Sequence, residues 1–94
     1  MTAYWIAHVT VTDPEAYAGY QKLAPAAFAR YGARFLARGG AAEVLEGPAL
    51  DRHVVIEFPS VQAARDCYLS EDYRAARTAR AGACIAHVVI VEGL

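Results

Sequence analysis

The segment from Arg52 to Tyr73, RHVVIEFPSVQAARDCYLSEDY, leaves a chain few ways to fold. Apolar, β-branched residues run from Arg52 to Phe58 and halt at Pro59, which cannot donate to a sheet ladder. Ser60 follows at once and is placed to cap the first turn of a helix reaching Leu69. Ser70, with Glu71 and Asp72 behind it, repeats the cap and predicts a second helical piece to about Ala81. Gly82 permits an exit, and Ile85 to Val91 (IAHVVIV) reads as a closing strand. Strand, helix and strand in this succession form a βαβ half.

The upstream half has the same grammar. Tyr4 to Val11 (YWIAHVTV) is a strand, Asp13 a cap, Pro14 a first helical residue and Glu15 a carboxylate suited to the helix dipole. Tyr17, Tyr20, Ala24, Ala27, Phe28 and Tyr31 then recur at helical spacing as one apolar stripe, closed by Gly32. Pro25 interrupts that stripe and predicts a kink or a break into two helical pieces. Arg34 to Arg38 and Ala42 to Glu46 flank Gly39-Gly40, which is either a tight turn or a bulge in one long, bent strand. A short loop over Gly47 to Asp51 then makes a hairpin with the strand Arg52 to Phe58.

The whole order predicts a single domain over residues 1–94. Its class is α+β: a ferredoxin-like βαββαβ fold, a four-stranded antiparallel sheet with the helices on one face. The other face is bare and apolar, and the chain is 56% hydrophobic against a usual share of roughly 45–50%. The excess predicts a homodimer through the sheet faces, a dimeric α/β barrel.

A net charge of −1 provides no field for a polyanion or an anionic membrane, so neither nucleic acid nor membrane is expected as a partner. The apolar runs are too short to span a bilayer, and Met1 to Val11 lacks the basic start of a signal peptide. Cys67 and Cys84 lack CxxC spacing and read as reduced core thiols, consistent with a cytoplasmic protein. No GxGxxG or GxxxxGK[ST] motif is present, and the histidines lack HxH or HExxH spacing, so no cofactor and no metal is expected.

Tyr4 with IAHVTVTDPEAY, Gly39-Gly40, Glu46-Gly47, Arg52 to Ser60 with its EFPS close, Tyr68, Ser70, Tyr73, Arg80 and the terminal VIVEG occur together in order. On these residues the chain resembles the small proteins grouped as domain of unknown function 1330, within the dimeric α/β barrel superfamily. Relatives often carry tryptophan where this chain has Cys67, and polar residues where it has Cys84, Ile85 and Ala86. Both departures make the surroundings of a pocket more apolar. The resemblance implies fold and assembly and leaves the chemistry open. The axial histidine of haem-binding relatives lies on a helix, and no predicted helix here contains one.

Alternation puts Arg52, Val54, Ile56 and Phe58 on the helix-covered face and His53, Val55 and Glu57 on the other. Glu57 there is a candidate general base with His8 as a counterpart, or else it pairs with Arg34 or Arg38. Arg80, which matches the family pattern, is the candidate for holding an oxyanion. Tyr68, Tyr73, His53 and Arg34 are the pocket candidates, the tyrosines for their apolar bodies and polar tips. The expected function is a cofactor-free enzyme, resembling the monooxygenases and isomerases of the superfamily, acting on a small carbonyl or phenolic metabolite. The alternatives are a noncatalytic small-ligand binding or stress-related accessory protein, and a module whose business is dimerisation.

Overall fold

Every second residue of the first strand is apolar and every second one is mixed, and the burial of that strand follows the alternation. Ala3, Trp5, Ala7 and Val9 are buried, whereas Tyr4, Ile6, His8 and Thr10 face away from the core. The computed structural model describes residues 1–94 and orders them as β1 (Ala3–Val11), α1 (Pro14–Arg30), β2 (Arg34–Arg38) and β3 (Arg52–Phe58). These are followed by α2 (Val61–Leu69), α3 (Glu71–Ala79) and β4 (Cys84–Glu92). The strands form one four-stranded antiparallel sheet in the order β2-β3-β1-β4, the ferredoxin-like arrangement.

The caps work as their residue types predict. Asp13 accepts from the Ala16 amide, Ser60 from Ala63 and Ser70 from Tyr73, at 3.2, 3.0 and 3.1 Å. Trp5 anchors the layer between sheet and helices: Phe28 and Tyr73 stand edge-on to it at 5.1 and 5.2 Å, and Phe58 stacks at 5.8 Å. Cys67, Tyr73, Ala27 and Ala64 complete a core with no exposed surface.

Two expectations need correction. Of the two outcomes expected at Pro25, the break into two pieces does not occur, and α1 runs continuously from Pro14 to Arg30. The carbonyl that proline deprives of a partner belongs to exposed Gln21, where water can satisfy it, while Ala24, Ala27 and Phe28 bury the helix on either side. The segment Ala42 to Glu46 is not a strand, so the hairpin has no short loop. Residues 39–51 cross from β2 to β3 without regular pairing, because Gly39, at φ +67°, turns the chain out of the extended form directly after β2, which stays the edge strand. The bulge lies earlier than the glycines, at the register shift between Phe35 and Ala37.

Candidate functional site

Between the helices and the sheet the side chains leave a cavity of about 80 Å³, room for several waters or one small planar molecule. β1 supplies Trp5, Ala7 and Val9 to its floor and β3 supplies Val54 and Ile56, while Tyr17, Tyr20 and Phe28 descend from α1 and Tyr73 from α3. The Tyr20 and Tyr73 hydroxyls are hydrogen-bonded at 2.7 Å. Burial raises the pKa of both and of Tyr17, so all three phenols stay protonated at neutral pH and act as donors.

One end of this apolar space is cationic. Arg38, Arg52 and Arg80 all reach it, and its lining contains no Asp, Glu or His. None of the three guanidiniums has a carboxylate within ion-pair distance; the ion pairs of the chain are Arg30–Asp72 and Arg34–Glu57. Arg80 lies 4.4 Å from the centre of the Tyr20 ring and Arg38 4.1 Å from that of Phe35, so each is held flat by an aromatic face. Arg80 follows directly on α3, and its carbonyl accepts from Ala83, whose own carbonyl accepts from Thr12 and Asp13. This brings Arg80 to the first turn of α1. It also borders a second groove, of about 420 Å³, with Tyr68, Ala86, Val88 and Ile90 along β4.

The opposite face of the sheet is chemically separate. Glu57 lies beside Arg34, its cross-strand partner, with Nε and Oε1 3.4 Å apart. His53, His8 and His87 form one row across β3, β1 and β4, and the Nδ1 atoms of His8 and His53 lie 2.8 Å apart, one donating a proton to the other. With residues 42–50 the row walls an open trough of about 520 Å³. No group of three His, Cys, Asp or Glu side chains is arranged to hold a metal ion.

The residues singled out in the sequence thus fall into two sets that the sheet keeps apart. Arg80, Tyr73 and Tyr68 lie on the helix side; Glu57, Arg34, His8 and His53 lie on the open side. Glu57 and Arg80 do not meet, so they cannot act on one atom within a subunit. Arg38 faces the helices and leaves Glu57 to Arg34. Arg77 donates to the Tyr68 hydroxyl at 3.2 Å and covers that ring. Arg52, Tyr17 and Tyr20 were missed as site residues. The signal for Arg52 was its alternation: it shares the core face with Val54, Ile56 and Phe58, where a charged residue is out of place.

The fold is shared with solved structures. A protein of unknown function from Rhodopseudomonas palustris is 23% identical, with 99% of this chain and 82% of that one covered and a TM-score of 0.79. The cofactor-independent oxygenase SnoaB from Streptomyces nogalater is 16% identical over 99% of this chain and 93% of its own, with a TM-score of 0.66. A dimeric protein of unknown function with a ferredoxin-like fold, from Bacteroides fragilis, is 12% identical over 98% and 96%, with a TM-score of 0.65. At these identities the likeness is one of fold. No curated protein matches the chain. The profile of the family described as domain of unknown function (DUF1330) matches residues 2–94, and the chain belongs to that family.

Proposed function

We propose that the chain is a cofactor-free enzyme that binds a small carbonyl or phenolic compound as its anion in the helix–sheet cavity and promotes its reaction with oxygen. The observation that carries this reading is the set of three guanidiniums without a carboxylate, Arg38, Arg52 and Arg80, at the end of a cavity otherwise walled by rings and aliphatic groups. Unpaired cations in such a place favour the ionised form of a ligand, so a phenol or enol becomes a stronger acid on binding. The likeness in fold to a cofactor-independent oxygenase supports the direction of the chemistry.

The lining offers no carboxylate or imidazole to take a proton. The proton therefore leaves to solvent as the ligand binds, and the cations hold the resulting enolate. Its carbon adds to O2, giving a peroxide anion that takes up one proton; loss of water from the hydroperoxide then turns the original methylene into a carbonyl. One methylene and one O2 yield one carbonyl and one water. The protonated Tyr17 hydroxyl and Arg80 are the donors that face the oxyanion.

The assembly that goes with this reading is a homodimer through the open sheet faces; the Bacteroides fragilis protein of like fold is itself dimeric. Ile85, Val89, Val91 and Leu36 are each about half exposed, and Leu45 in the segment before β3 is 83% exposed. In that dimer Glu57, Arg34, His8 and His53 belong to the interface, and Arg80, Tyr73 and Tyr68 to the site.

Two measurements test the function. Para-nitrophenol, whose phenolate is yellow, ionises at lower pH on the protein than in buffer, and Arg80→Gln removes most of that shift. Indanedione, a small acidic diketone, consumes oxygen faster with the protein than without it. Unchanged nitrophenol ionisation overturns the reading. Ionisation without oxygen uptake replaces it with the noncatalytic binding protein, which the lack of a base in the cavity favours.

A further inference from the structure

Arg52 stands where a sheet core ordinarily has an aliphatic side chain. It faces the helices from the first position of β3, opposite Val9 and in line with Val54, Ile56 and Phe58. Its Nε is buried and has no hydrogen-bond partner. Its guanidinium lies against the backbone of Gly39, so closely that a Cβ there would collide with it. Gly39 has φ +67°, and its amide donates to the His53 carbonyl at 2.8 Å, which fixes the start of the 39–51 segment against β3. The guanidinium is thereby seated on a glycine, in the wall of the cavity.

A group held in this way is specific in shape as well as in charge. A guanidinium offers parallel N–H donors in one plane, the complement of a carboxylate. The Tyr17 hydroxyl feels both Arg52 and Arg80, and all three side chains line the cavity. A single phenolate or enolate oxygen at Arg80 would leave Arg52 without a counterion, and Arg38 beside it as well.

We infer that the ligand of the cavity is a small carboxylic acid that also carries a phenolic or enolisable oxygen, its carboxylate received by Arg52 and the second oxygen by Arg80 and Tyr17. This class includes ortho-hydroxy aromatic acids and β-keto acids. It rests on the proposed use of the helix–sheet cavity and narrows it, since three guanidiniums match a dianion better than a monoanion.

Salicylate and phenol, which differ by one carboxylate, separate the two levels. The indole N–H of Trp5, the sole tryptophan and part of the cavity floor, reports occupancy by NMR. The wild-type chain binds salicylate at least roughly tenfold more tightly than phenol, the scale of one bidentate charge-assisted pair. Arg52→Gln brings the ratio toward one. Arg52→Lys, which keeps the charge and the aliphatic stem, restores only part of it, and Gly39→Ala lowers it by displacing the guanidinium with no change of charge. A ratio untouched by Arg52→Gln in folded protein overturns the inference, and continued binding of phenol then leaves the cavity reading standing. If neither compound moves the Trp5 signal in the wild-type chain, both fall.

Discussion

Cys67 has no exposed surface, and burial pushes its thiol up from 9.0 to about 12. The unfolded chain loses this proton near 9, whereas the folded chain keeps it to about 12. Through that interval the unfolded state binds fewer protons, so stability is full below it and falls as pH rises. Tyr73 and Tyr20, raised by burial from 10.0, add to the loss from about 10 upward. Cys67→Ala should therefore show a flatter decline in unfolding free energy between about pH 9 and about pH 12, measured by urea titration at a series of pH values. An unaltered slope would mean that the thiol ionises freely in the native state. The same burial has a functional side. With the thiol inert and the neighbouring phenols protonated, the positive groups of the cavity meet no competing anion from the protein.

The break between α2 and α3 is made by one residue used twice. The Ser70 hydroxyl donates to the Cys67 carbonyl at 2.7 Å, closing α2, and accepts from the Tyr73 amide at 3.1 Å, opening α3. Because Tyr73 is fully buried and hydrogen-bonded to Tyr20, this joint sets the roof of the cavity. Ser70→Ala should cost about 1 kcal/mol, a typical N-cap loss, and should weaken ligand binding through Tyr73; a stability equal to wild type would show that the joint is held by packing alone. This element was legible in advance, as were α1 and all four strands to within a residue or so at their ends, since Asp13, Ser60 and Ser70 cap locally and alternation is local too. What was not legible depended on tertiary surroundings. Whether Pro25 breaks α1 was settled by where Gln21 lies, and whether residues 42–46 form a strand was settled by the turn at Gly39, which packs against the Arg52 guanidinium. The site was half legible for the same reason. Alternation put Glu57 and Arg52 on opposite faces, but only the packed helices show which face encloses a cavity and that Arg80 meets Tyr17 and Tyr20 there.

At the scale of the molecule, the chain is a slab 34 × 33 × 17 Å, one sheet thick and one helix layer thick. A standard interface takes roughly 800 Å² from each partner, and the two long dimensions of the slab leave room for one. Val89 lies midway along the edge strand β4 on the open face, 53% exposed and paired with Ile6, which in turn pairs with Val55 on β3. A second sheet laid against these aliphatic side chains would cover the half-exposed groups of β4 and enclose the histidine row. The helix–sheet cavity and the β4 groove that Arg80 and Tyr68 border lie across the sheet from this contact. Val89→Arg puts a charge that cannot be neutralised into this contact, where desolvating it costs several kcal/mol. The mutation leaves the helix-side core untouched. Sedimentation at micromolar protein should therefore find a wild-type dimer and a Val89→Arg monomer with unchanged far-UV circular dichroism. A wild-type monomer, or a variant that still dimerises, would remove the sheet-to-sheet assembly. It would leave the helix–sheet cavity intact, because a single subunit already forms it.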